Sequence, residues 1–94
     1  DEQLDEIRKW DWLNGNIFEL ISLIKKIWWT PEWGFRFRKG RDSLTRKKVM
    51  KLELHTGGWS GNESIIRVLC ENHMFWMRFW QRSDRGGHHY FQID

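Results

Sequence analysis

The hydrophobic period of the chain first changes near residue 34. Before that point, apolar residues recur every three or four positions. Residues 2 to 13 read as a short helix, with Leu4, Ile7 and Trp10 at helical spacing and acidic residues in the first turn. Asn14-Gly15-Asn16 ends it: Gly15 is placed to turn left-handed, and Asn16 to cap the next helix. That second helix is expected over residues 17 to 28. Ile17, Leu20, Ile21, Ile24, Ile27 and Trp28 make one apolar face, widened by Phe18 and Leu23, so this helix should be well buried or shared with a partner. Pro31 closes it.

From Gly34 the period is two. Phe35 and Phe37 alternate with Arg36 and Arg38, a half-buried strand with arginines outward. Lys39 to Thr45 is a polar connection. Met50, Leu52 and Leu54 then alternate with Lys51, Glu53 and His55, which completes an antiparallel hairpin. Gly57 to Gly61 is a glycine-rich joint, and residues 62 to 72 read as a third helix on Ile65, Ile66, Val68 and Leu69. His73 to Arg82 reads as a strand, with Phe75, Met77 and Phe79 on one face and Trp76, Arg78, Trp80 and Arg82 on the other. Ser83 to Gly87 is a turn, and His88 to Ile93 the last strand. The order ααββαββ predicts an α+β fold: two N-terminal helices, then ββαββ forming a four-stranded antiparallel or mixed sheet with helices on one face. At 94 residues this is a single domain, helical over 1–30 and ββαββ over 34–94.

Composition adds an aromatic surplus. There are eight tryptophans, each able to bury roughly 200 Å². A core this small cannot enclose them all, so some are expected at the surface, where an aromatic cluster marks a contact site. Cys70 is the sole cysteine, which excludes an internal disulfide and a thiolate zinc cluster and suits a reducing compartment. The most apolar stretch, residues 17 to 28, is interrupted by Glu19, Lys25 and Lys26 and is too short to span a membrane. No signal-peptide pattern precedes it, and Asp1 reads as a trimmed start. The expected location is cytoplasmic.

The formal charge of +3 hides an asymmetry. Asp1, Glu2, Asp5 and Glu6 make the N-terminus acidic. Arg36, Arg38, Lys39, Arg41, Arg46, Lys47, Lys48 and Lys51 fall within sixteen residues, opposed there only by Asp42. Such a block attracts a phosphate backbone or an acidic protein face; the plainer reading is a solvated loop.

The joint HTGGWSGNES, residues 55 to 64, admits three chemistries. Gly57, Gly58, Ser60 and Gly61 could present backbone N–H groups to an anion at a helix N-terminus, although they match neither the dinucleotide fingerprint nor the P-loop. Ser60 could sit on a nucleophile elbow, but Asn62 stands where the final glycine belongs. Ser60 and Glu63 have the spacing of a capping box, with Trp59 as a hydrophobic staple, and this accounts for most of the segment. His88 and His89 are adjacent and face opposite ways, and His55 and His73 are isolated, so neither a metal nor another cofactor is expected.

Trp76, Arg78, Trp80 and Arg82, alternating on one strand face, would stack bases and meet phosphates where that face is open; where a helix covers it, Trp76 and Trp80 are core and Phe75 and Phe79 face out. Together with Arg36, Arg38, Arg41, Lys47 and Lys48 they make the expected contact surface. The expected function is a non-enzymatic binding module for nucleic acid or an acidic protein surface. The alternative is an assembly protein that homodimerises through the apolar helix.

The segments GGWSGNESII, FWMRFWQRS and RGGHHYFQI lie within residues 52 to 93. That part of the chain resembles small uncharacterised proteins encoded by tailed phages and prophages. The resemblance implies a protein of the infected bacterial cytoplasm, an accessory factor that binds host machinery. It assigns no residue a role.

Overall fold

The computed structural model describes residues Asp1–Asp94. Its elements are α1 (Glu2–Arg8), α2 (Ile17–Ile27), α3 (Pro31–Gly34), β1 (Phe35–Arg41), β2 (Lys48–His55), α4 (Ser60–Glu71), α5 (His73–Phe79), β3 (Trp80–Asp84) and β4 (His88–Ile93). The strands form one sheet in the order β1-β2-β4-β3, and every neighbouring pair is antiparallel. The fold is the α+β arrangement that the change of period predicts.

Local chemistry sets the helix ends. Asp1 caps α1, its Oδ1 accepting from the N–H groups of Gln3 and Leu4 at 2.8 and 3.1 Å. The helix stops at Arg8, short of residue 13. The Asp11 carboxylate draws in the N–H groups of Leu13 and Asn14 and tightens residues 11 to 14 into a turn. Gly15 is not left-handed. Glycine is needed there because a Cβ would lie 2.6 Å from Cζ2 of the Trp10 ring. Asn16 does cap α2, and with Glu19 it completes a reciprocal box at 2.9 and 3.1 Å. Pro31 opens the short α3, following a left-handed Thr30.

Two expectations change in the second half. Ser60 and Glu63 form no capping box, and α4 starts behind Trp59 without a side-chain cap. Gly57 and Gly58 are both left-handed and wrap the chain so that Thr56 meets Glu63, its hydroxyl donating to Oε1 at 2.9 Å. Residues 73 to 79 are helical, not extended. The buried Asn72 imposes this: its Oδ1 accepts the Phe75 N–H at 3.2 Å, capping α5, while its Nδ2 donates to the Ile7 carbonyl at 2.9 Å. Helical geometry then buries Phe75 and Phe79 one turn apart, with ring centroids 5.5 Å apart.

The core lies between the helices and one sheet face. Ile7, Leu20, Ile21 and Ile24 meet Leu52, Leu54, Phe91 and Ile93, with Val68, Leu69 and Phe75 completing the cluster. The apolar stripe of α2 is thus buried within the chain, and of its large side chains Phe18 stays exposed. No helix is long and apolar enough to cross a membrane. The opposite sheet face has no core residue beneath a helix. On β2, Lys51, Glu53 and His55 are partly buried on this face and alternate with the buried Leu52 and Leu54.

Candidate nucleic-acid interface

Strand pairing arranges the open face in rows. Arg36 of β1 lies opposite Glu53, Glu53 opposite Tyr90, and Tyr90 opposite Arg82 of β3. One row over, Arg38 pairs with Lys51 and Lys51 with Gln92. On the other side His55 pairs with His88, and His88 with Asp84. Each strand contributes alternate residues because successive side chains of a strand point to opposite faces.

Glu53 is the anchor of the middle row. Burial pushes its carboxyl pKa up, but the Arg38 hydrogen bond at 3.1 Å, the His55 ring at 3.4 Å and the charge of Arg36 outweigh burial and lower it. At the far end the Arg82 guanidinium lies over the Tyr90 ring, 4.3 Å from its centroid, and meets Asp84 at 3.2 Å. An aromatic run reaches this row from the glycine joint. Trp59 stands edge-on to Trp33, Trp33 to His55, and His55 to Tyr90, with centroid separations of 5.9 to 6.3 Å. Trp33 is 54% exposed and Trp59 39%, so the run is accessible from solvent. A shallow groove of about 400 Å³ crosses the face between Arg38, Lys51, Tyr90 and Arg82.

The basic hairpin loop is tied to the same face. The Asp42 carboxylate accepts from the N–H groups of Leu44 and Thr45, both at 2.8 Å, and from Gln92 Nε2 at 2.6 Å. Led by the Thr45 N–H, these bonds hold its pKa down at about 2, against an ordinary 3.8. A depressed carboxyl pKa means that ordering of the loop is complete above about pH 4 and is lost as pH falls through about 2. Amide exchange at Leu44 and Thr45 is therefore expected to accelerate across that window, and Asp42→Asn to remove the pH dependence.

The expected contact residues divide between two sides. Arg36, Arg38 and Arg82 share the open face. Arg41 and Lys48 pair at the parity of the core-facing Phe37 and Leu52 and line a groove with Phe18 and Ile93 on the helical side. Lys47 lies in the loop between the strands. Trp76 belongs to α5. It packs against the core, edge-on to Phe91 at 5.5 Å, and stacks with Trp80 at 5.9 Å. Trp80 pairs with Phe91 on the core-facing side of the sheet, while the Arg78 guanidinium reaches Asp94 at 3.5 Å from the helical layer. The single Trp76–Arg82 face is thus broken. Helical winding through residue 79 keeps Arg78 on one side, and the bulge between Trp80 and Arg82 turns Arg82 to the other.

The histidine expectation is also corrected. His55 is not isolated: its Nδ1 lies 2.8 Å from His88 Nδ1 across the β2–β4 ladder. The alternation of His88, Tyr90 and Gln92 with buried Phe91 and Ile93 is the signal that this strand supplies an outer face. At the candidate anion site, Gly57 and Gly58 use their left-handed freedom to turn the chain. The Trp29 indole lies against Gly61, and Ser60 is exposed. Asn62 is fully buried and clamps this joint, accepting the Trp29 N–H at 2.8 Å and donating to the Trp29 and Thr56 carbonyls at 3.2 and 3.3 Å. Comparison of the chain with protein-family models, with curated proteins and with solved structures finds no match to any of them.

Proposed function

We propose that the protein is a non-enzymatic binding module that holds single-stranded nucleic acid on its open sheet face. One observation carries this reading. Arg36, Arg38, Lys51 and Arg82 share with Tyr90 the sheet face opposite the main helical layer, with Glu53 between Arg36 and Tyr90, and the basic hairpin extends the positive charge beyond the sheet edge. An extended strand of nucleic acid offers phosphates to the cations and flat base faces to the aromatic side chains. Tyr90 is the central stacking platform. The Arg82 guanidinium now on it is open to solvent, and a cation–π contact at an exposed site is weak enough for a base to displace. The displaced guanidinium is then free to meet a phosphate beside that base.

A labelled oligonucleotide titrated by fluorescence anisotropy at several salt concentrations tests the reading. With three or four phosphates neutralised, log affinity should fall linearly against log salt with a slope of about −2 to −3. Base composition should matter little. Absence of binding at low salt would remove nucleic acid as the partner and leave an acidic protein face as the ligand of the same cations. Affinity that ignores salt would refute the phosphate contacts themselves.

A further inference from the structure

We propose that His55 and His88 form a bidentate site for a tetragonal transition-metal dication, copper(II) foremost. The inference is independent of nucleic-acid binding. The two residues lie directly opposite each other on β2 and β4, on the open face, with Nδ1 atoms 2.8 Å apart. Two N–H groups cannot point at each other over that distance, so at least one Nδ1 presents a lone pair.

Glu53 decides which one. Its Oε1 lies 3.4 Å from His55 Nε2, so the His55 proton sits on Nε2 and its Nδ1 is the acceptor. A carboxylate behind a ligating imidazole is the support that orients such ligands in metal sites and raises their basicity. Glu53 is itself held by Arg38 at 3.1 Å. The His55 ring is further held edge-on by Trp33 and Tyr90, at 6.3 and 5.9 Å between centroids. Both the orientation and the tautomer of this ligand are therefore set before any ion arrives.

The spacing selects the metal. Two nitrogens bound at about 2.0 Å and at right angles stand about 2.8 Å apart, whereas a tetrahedral angle requires about 3.3 Å. The 2.8 Å of the N–H···N bond that joins the rings brings the two nitrogens to the separation of adjacent corners of a square plane. That favours copper(II), then nickel(II), over zinc(II). No third side-chain ligand converges on the pair, so water completes the coordination. On binding, His88 changes tautomer: its proton moves from Nδ1 to Nε2 by exchange with solvent, both Nδ1 lone pairs then face the ion, and the neutral pair releases no net proton.

The test uses the full chain and copper(II) in a non-coordinating buffer, read by calorimetry and by paramagnetic broadening of imidazole resonances. One ion per chain is expected, with broadening centred on His55 and His88. His55→Ala or His88→Ala should weaken binding at least about tenfold. Glu53→Gln, which keeps both ligands, should weaken it by about tenfold as well, because it removes the charge behind His55. Broadening centred on His73, His89 or the N-terminal amine would overturn the proposal. So would an affinity unchanged in the His55→Ala/His88→Ala double variant. The broadening pattern is read on the unaltered protein, so the outcome stands even where a variant fails to fold.

Discussion

Asn62→Ala is expected to destabilise the fold by about 3–5 kcal/mol, most of the margin available to a chain of this size. The side chain has no exposed surface, and its three hydrogen bonds join the end of α2 to the strand–helix joint. Truncation leaves the Trp29 N–H, the Trp29 carbonyl and the Thr56 carbonyl with lost partners, each costing about 1–3 kcal/mol where water cannot replace them. Asn62→Asp should rescue little: it keeps the acceptor, loses both donated bonds and buries a charge. Denaturant titration checks this as a lower midpoint at unchanged slope. Ser60→Ala two residues away is the contrast. The spacing with Glu63 predicts a lost cap of about 1 kcal/mol. The structure shows no side-chain cap at the start of α4, so the expected change is within about 0.5 kcal/mol.

Replacing Arg36, Arg38 and Arg82 together by alanine is expected to reduce oligonucleotide affinity at least about a hundredfold at low salt and to flatten the salt slope by about two. All three are exposed, so the loss should appear in binding and not in folding. Arg38 has a second effect, since its removal leaves the Glu53 carboxylate less neutralised at the centre of the face. Arg78→Ala separates the two possible surfaces. A continuous Trp76–Arg82 face would make Arg78 as costly to lose as Arg82. With Arg78 on α5, paired with Asp94 on the helical side, its loss should change affinity by less than about twofold. Equal losses for Arg78→Ala and Arg82→Ala would refute the assignment of the site to the open face.

The reading of residues 73 to 82 shows where sequence patterns stop. Phe75, Trp76, Phe79 and Trp80 satisfy a helical stripe as well as a strand alternation, because aromatic and charged residues happen to coincide at both periods. The choice is made by Asn72, whose side chain caps α5 only because α1 brings the Ile7 carbonyl to its other end. The failed capping box has the same origin. Ser60 and Glu63 have the right spacing, but Thr56 reaches Glu63 first once the two glycines have folded back.

The site was legible in part. Arg36 and Arg38 were readable as outward residues, since alternation with Phe35 and Phe37 places them without any knowledge of neighbours. Lys51, His55, His88 and Tyr90 alternate with apolar neighbours in the same way, but nothing in that alternation says which of them meet. They matter through the strands beside them, and β4 enters the sheet between β2 and β3.

What the order of residues determined by itself was therefore local: the helix over Ile17–Ile27, the basic hairpin, the last strand and the α+β class. Those features depend on side chains two to four positions apart, which every chain carries in its own sequence. Which face stays open, which cations share it and which histidines meet were decided only by the tertiary structure. These depend on contacts between residues tens of positions apart, and burial of the whole core, not any single segment, selects among them.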